Sequence, residues 1–211
     1  RMEELSEPQE APVIICGFGR YGQIIGRMIN LQGITATVLD HDADTIESVR
    51  AFGFRVHYGD ATRLDLLRTA GAAHAKVIVV AVDDVDQSLK IVDLVQAHFP
   101  HLTIVARARN VNHLYQLRDR GVPHIERELF DASMRSARSI LESLGWPAHE
   151  ARRSAMRFRQ DNLDLMEQMY PHYKDRARMI SVSKQGREQL VEQMARERAA
   201  QAERRPQNWE D

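Results

Sequence analysis

The residues whose spacing most clearly implies chemistry are Gly17-Phe18-Gly19-Arg20-Tyr21-Gly22, with Asp40 about 20 residues further on. Bare backbone at Gly17 permits a tight turn, and at Gly19 it lets a phosphate approach the main chain. Gly22 lets a following helix pack against the strand before it. Unpaired N–H groups at such a helix start favour an anion. Asp40 ends the apolar run Ala36-Thr37-Val38-Leu39, where a carboxylate receives two ribose hydroxyls and repels a 2′-phosphate. His41 and Asp42 follow it, with no Arg to hold an extra phosphate, so NAD or AMP is expected over NADP. A glycine turn needed only for packing, and a solvated acid at a strand end, are the alternatives.

Other polar clusters each carry two readings. In Gly59-Asp60-Ala61-Thr62, Asp60 either caps the next helix or faces an adenine edge. Asp83-Asp84 and Asp86 suggest a metal, although acids at a helix start more often serve its dipole. Arg107 and Arg109 stand at the end of an apolar run, where ligands of parallel sheets gather; Arg109 alternatively caps carbonyls or pairs with a carboxylate. Arg127, between Glu126 and Glu128, reads on these grounds as a surface ion pair, and Arg27 lies on the helix after the glycines. The histidines form no HxxxH or HxH pattern and none pairs with a cysteine, so no zinc site is expected; His113 and His124 read as packing or surface residues. No nucleophile–base–acid constellation appears, and the glycine turn lacks the GxxxxGK[ST] form of a phosphate-hydrolysing loop. Binding of a nucleotide without its consumption fits better than catalysis.

The elements that must position these residues alternate along the chain. Strands are expected at Val13–Cys16, Thr35–Asp40, Arg55–Tyr58, Val77–Val82 and Thr103–Arg107, with Pro123–Ile125 a weak sixth. Helices are expected at Tyr21–Leu31, Ala43–Ala51, Arg63–Ala70, Asp86–Ala97 and Val111–Asp119, stopped by Gly33, Gly53, Gly71 and Gly121. This is an α/β pattern: a Rossmann-like, doubly wound parallel sheet of about six strands. A C-terminal helical extension follows. Met134, Ala137, Leu141 and Leu144 make an apolar stripe that either packs on its own domain or meets a second subunit. Gly145-Trp146-Pro147 breaks that helix, and another runs from Ala148 to Met169. The expected division is a linker at 1–12, a nucleotide-binding domain at 13–128, a helical extension at 129–170, and a polar helical or frayed tail at 171–211 in which Leu190, Val191 and Met194 dock weakly.

Composition narrows the class. A 43% hydrophobic fraction supports a core, and a net charge of −1 gives no basic surplus for nucleic acid. The single cysteine, Cys16, excludes an internal disulfide and reads as a packed structural thiol in a reducing compartment. No apolar run approaches the roughly 18–20 residues that span a bilayer, and there is no signal peptide, so the visible chain is expected to be soluble. It starts at Arg1 without an initiator Met and is expected to be cut from something larger.

From Val13 to about Met169 the sequence resembles the cytosolic KTN or RCK domain, TrkA-N-like, in the version carried by the bacterial Kef glutathione-regulated potassium efflux systems. Gly17 to Ile24, Val38 to Asp42, Tyr58 to Thr62 and Ala106 to Arg109 carry the resemblance. Glu126 to Glu128, Leu141 to Gly145 and Phe158 to Asn162 extend it. The resemblance implies a regulatory domain and not an enzyme. It would form a homodimer with AMP or NAD(H) at Gly17, Phe18, Gly19, Arg20, Tyr21, Gly22, Asp40, His41, Asp60 and Ala61. It further implies glutathione at Arg27, Arg127 and Asn162, and Phe52 as the aromatic that a bulky glutathione adduct pushes aside. Glutathione would inhibit, and its S-conjugates activate, potassium efflux coupled to proton entry. The implied partners are a transmembrane transporter domain before residue 1 and, in some systems, an ancillary quinone-reductase-like subunit. The implied location is the cytoplasmic side of a bacterial inner membrane. A small NAD-dependent oxidoreductase and a nucleotide-sensing regulator of potassium uptake share the glycine fingerprint and are the competing expectations.

Overall fold

Short runs rich in Val and Ile form six strands: β1 (Val13–Cys16), β2 (Ala36–Asp40), β3 (His57–Tyr58), β4 (Val77–Val80), β5 (Thr103–Ala108) and β6 (His124–Arg127). They lie in the order β3-β2-β1-β4-β5-β6, every neighbour parallel. The chain therefore runs outward from β1 in one direction, then returns to lay β4 on its other side. Between β1 and β4 the connections diverge, which opens a crevice at their C-terminal ends. These are features of a computed structural model that describes residues 2–204.

Alternation along the strands divides the core into two layers. Ile14 and Cys16 point into one cluster, with Leu67 of α3 (Leu64–Thr69), Val92 of α4 (Val85–His98) and Leu117 of α5 (Val111–Asp119). Ile15 points into the other, with Ile46 and Val49 of α2 (Ala43–Ala51) and the inner face of α1 (Arg20–Leu31). Truncating Ile14 or Ile15 to Ala, both fully buried, costs about 2–5 kcal/mol. Cys16 lies in the same layer as Ile14, and burial pushes its thiol pKa up to about 12, which leaves it inert as a nucleophile.

Five strands differ at an end from expectation: β2 begins at Ala36, β3 at His57 and β5 runs to Ala108, while β4 and β6 differ for identifiable reasons. β4 ends at Val80 and not at Val82, because the Val82 carbonyl accepts from the Arg107 guanidinium at 3.1 Å and leaves the ladder. β6 begins after Pro123, which has no N–H to give, and continues to Arg127. The segment read as a linker docks over residues 2–12. Leu5 donates its N–H to the Tyr58 carbonyl, Glu4 bridges Tyr58 in parallel and pairs with Arg63, and Gln9 donates to the Thr69 carbonyl. The Tyr58 carbonyl at the open β3 edge is thus satisfied. Gly71 permits this course: its φ is +91°, and a Cβ there would stand 2.4 Å from the Gln9 carbonyl oxygen.

The chain divides into two compact units, the first ending at Leu129 and the second beginning at Phe130. The second holds α6 (Phe130–Ser143), α7 (Ala148–Met169), a 3-10 turn (Tyr170–His172) and α8 (Arg176–Arg204). Gly145, with φ +97°, closes α6 by giving its N–H to the Glu142 carbonyl, while Trp146 donates to Leu141. α6 buries none of its residues; Ile140 is exposed, as is Leu144 just beyond the helix. The tail expected as a polar or frayed helix is α8 as far as Arg204, and the rest of that expectation lies outside the described residues. Arg157 of α7 pairs with Asp161 at 3.7 Å and with Glu197 of α8, and Leu190 and Met194 are half-buried while Val191 is exposed.

Candidate functional site

The glycine turn occupies the mouth of the crevice between β1 and β4. Gly17 has φ +95°, and a Cβ on it would lie 2.6 Å from the Ala81 carbonyl oxygen. A Cβ on Gly22 would lie 2.2 Å from the Gly17 carbonyl oxygen, so α1 starts directly against the turn. Gly19 is different: nothing stands within 4 Å of its missing Cβ. No internal packing requires its bareness, and the start of the following helix is left open there.

Gly19 is also the N-cap of α1 and supplies no side-chain acceptor, and the first turn carries no acid. The helices nearby are capped: α2 by Asp42, α4 by Asp84 and α5 by Asn110. The leading N–H groups of α1 therefore lack the side-chain acceptor that its neighbours have. An anion placed there gains both hydrogen bonds and the helix dipole.

Asp40 faces this helix start and is held from two sides. Its Oδ2 accepts the Phe18 N–H at 2.8 Å, and its Oδ1 accepts the Asp42 N–H at 2.8 Å. Each carboxylate oxygen keeps a second lone pair, which suits paired hydroxyl donors such as those of a ribose. Gly17, Gly19, Asp40 and His41 line one side of an open cleft of about 180 Å³, and Asp83 and Asp84 line the other.

Several expected residues act differently from their neighbours in the motif. The Phe18 ring is 2% exposed and packs edge-on against Phe54 at 5.4 Å, so only its backbone serves the cleft. Ala61 is in the core, Gly22 is buried in packing, and the exposed Arg20 and the half-buried Tyr21 do not line the cleft. Asp60 accepts from the Thr62 N–H at 2.9 Å and its hydroxyl at 2.7 Å, closing a turn before α3, whose N-cap is Arg63. Burial works to raise the Asp60 carboxyl, but the Thr62 hydrogen bonds, with His41 and Lys90 nearby, outweigh it and hold it below the usual carboxylate range. Thr45 and Gln87 also line the cleft and were not expected. Both stand three residues after an aspartate N-cap, a position that faces the strand ends, and that spacing was the available signal.

The acid cluster resolves into separate tasks. Asp84 accepts from the Gln87 N–H and caps α4. Asp83 pairs with Arg107 at 3.0 Å and Arg109 at 3.3 Å, which decides for the ion-pair reading of Arg109. Among the described residues no three His, Cys, Asp or Glu groups are arranged to hold a metal. The loop carrying Arg109 is fixed from below by buried His113. Its Nδ1 accepts the Arg109 N–H at 3.0 Å, so Nε2 carries the proton that Ser88 Oγ accepts at 3.0 Å. Burial, then Arg107 and Arg120, keep the His113 pKa below its ordinary value.

Of the four residues expected to hold the tripeptide, Arg27, Phe52 and Arg127 lie on or next to separate elements of the first unit. Arg27 is exposed on α1, and Phe52 follows α2 with 82% of its surface exposed. Arg127 ends β6, three strand spacings or about 14 Å from β1 across the sheet. Asn162 is half-buried on α7 of the second unit.

Comparison with known proteins locates these features. The TrkA-N domain family matches residues 13–127, and the potassium efflux system KefB C-terminal domain matches residues 132–208. The glutathione-regulated potassium-efflux system protein KefC of Escherichia fergusonii is 50% identical over 167 residues, covering 79% of this chain and 27% of its own length. The chain thus spans about a quarter of the curated relatives it matches. Among solved structures, the Kef C-terminal domain of Shewanella denitrificans in its AMP-bound form aligns with TM-score 0.68 and 37% identity over 75% of this chain and 97% of that one. The GsuK RCK domain aligns with TM-score 0.51 and 26% identity over 57% of this chain and 26% of that one.

Proposed function

We propose, on the premise that this chain belongs to the TrkA-N domain family and to the C-terminal domains of Kef potassium efflux systems, that it is the ligand-sensing domain of a potassium efflux transporter. The observation that carries the reading is the uncapped start of α1 opposite the doubly held Asp40 carboxylate. In this reading a nucleotide lies across the crevice, its phosphate on the α1 N-terminus and its ribose hydroxyls on Asp40. The AMP-bound relative supports AMP as the occupant; NAD(H) presents the same adenylate half. In this reading the nucleotide is held as a ligand and not consumed: the lining combines carboxylates, backbone, the Gln87 amide, the His41 imidazole and the Thr45 hydroxyl, and the glycine turn lacks the GxxxxGK[ST] form of a phosphate-hydrolysing loop.

Glutathione is the regulatory ligand in this account. Its two carboxylates and one ammonium leave it anionic, and Arg27 and Arg127 offer bidentate partners, with Asn162 for a peptide group. A homodimer is part of this reading. In this reading Phe52, an aromatic ring left almost wholly in water, is the side chain that a large sulfur substituent displaces. Glutathione holds the closed arrangement, and an S-conjugate favours the open one. Such a ligand shifts the balance only by its difference in affinity for the two states, about 5.5 kcal/mol for a full reversal from 1:99 to 99:1. The transmembrane transporter, exchanging potassium for protons, precedes this domain in the whole protein, and the domain lies on the cytoplasmic side of the inner membrane. An ancillary quinone-reductase-like subunit would dock from outside.

Calorimetry of the purified domain tests this. AMP and glutathione each bind, and an S-conjugate competes with glutathione. Absence of both heats at millimolar ligand would defeat the reading.

A further inference from the structure

Arg107 is a buried charge that the nucleotide cleft alone does not explain. Its side chain is 5% exposed, its Nη2 donates to the Val82 carbonyl and to Asp83, and its Nε is buried with no hydrogen-bond acceptor. Its Nη1 stands 3.9 Å from Glu128 Oε1, and its guanidinium carbon 5.4 Å from the centre of the Tyr21 ring. A guanidinium removed from water requires close anionic partners. Its main one, Asp83, is 84% exposed and shared with Arg109, so its compensation is weak. Two carboxylates thus flank one buried cation, and the nearer of them lines the nucleotide cleft.

We propose that Arg107 couples the nucleotide cleft to the glutathione site, so that nucleotide bound beside Asp83 shifts the guanidinium toward Glu128 and raises the affinity for glutathione. This rests on the assignment of Arg27 and Arg127 to the tripeptide. A phosphate in the cleft repels the Asp83 carboxylate and weakens its hold on Arg107. The buried cation has no water to fall back on, and Glu128 is the carboxylate within a small movement. As the guanidinium closes in from its present 3.9 Å ion pair, Glu128 repels an anionic ligand at Arg127, its neighbour in the chain, less strongly. Tyr21 adds a second path, since its ring faces Arg107 from the first turn of the helix that carries Arg27. Linkage then requires glutathione to tighten nucleotide binding by the same factor.

The test is calorimetry of glutathione into the nucleotide-stripped chain, alone and with saturating AMP, for the wild type, Arg107→Gln and Glu128→Gln. The wild type binds glutathione about fivefold or more tightly with AMP present, within the range usual for coupled sites. Glu128→Gln binds glutathione without AMP as tightly as the wild type does with it, and in both variants the factor falls to within about twofold of one. Glu128→Gln removes no buried cation, so it decides the matter if Arg107→Gln does not fold. A wild type that binds glutathione with no change on adding AMP, a factor of opposite sign, or a factor retained in Glu128→Gln overturns the coupling alone. A wild type that binds AMP but no glutathione overturns the coupling together with the tripeptide assignment beneath it.

Discussion

Phe18 donates its backbone N–H to the Asp40 carboxylate across 2.8 Å, which makes the glycine turn and the acid ending β2 one rigid unit. Phe18 follows β1 and Asp40 ends β2, and the Asp42 N–H secures the other oxygen. The groups suited to a phosphate and to a ribose are therefore set relative to each other before any ligand arrives, which lowers the ordering cost of binding.

Gly17→Ala and Gly19→Ala separate folding from binding. At Gly17 a methyl meets the Ala81 carbonyl oxygen at 2.6 Å in a positive-φ backbone, so the variant loses about 2–3 kcal/mol or more, read by urea denaturation. At Gly19 the φ is −75° and the space is open, so stability stays within about 0.5 kcal/mol. AMP affinity nevertheless falls about tenfold or more, because the methyl occupies the approach to the α1 N-terminus. Equal AMP affinity in Gly19→Ala and wild type would contradict this use of the turn.

Acid should destabilise the first unit through His113. Its pKa lies below 6.5 in the folded chain through burial, then Arg107 and Arg120, while the unfolded chain titrates near 6.5. As pH falls through 6.5 the unfolded state takes up a proton that the folded state refuses, so stability drops until the folded pKa is reached. His57, lowered by burial and by Arg50 and Arg55 against the opposing pull of Glu7, adds in the same direction. Thermal melts from pH 8 to 5 should show a falling midpoint, and His113→Gln should flatten part of that slope. An unchanged slope in the variant would remove His113 as the cause.

Phe52→Ala should leave stability within about 0.5 kcal/mol, because the ring is almost fully exposed. Glutathione should still bind, while the contrast between glutathione and a bulky S-conjugate shrinks in competition calorimetry. A variant that discriminates as well as the wild type would free Phe52 of that role.

Much of this was legible in the sequence because it depends on local spacing. The glycine turn, the alternation of β-branched runs with helices, and helix ends such as Ala43–Ala51 and Ala148–Met169 follow from short-range preferences. The contacts that give the site its rigidity were not legible. Asp40 reaches Phe18 and Asp83 reaches Arg107 between residues more than 20 apart, and only the closed sheet brings them together. Motif membership also does not reveal that the Phe18 and Ala61 side chains belong to the core; Phe18 sits there between Gly17 and Gly19, which line the cleft. The docking of Leu5 on β3 was hidden by the polar composition around it.

The most direct test of two separate ligand sites is a crossed titration of AMP and glutathione by calorimetry into Asp40→Ala and Arg127→Ala. Asp40→Ala should weaken AMP about 10- to 100-fold, the worth of hydrogen bonds to a charged group, and leave direct glutathione binding measurable. Arg127→Ala should lose glutathione and keep AMP. Loss of both ligands in both variants, or of neither in either, would contradict the account.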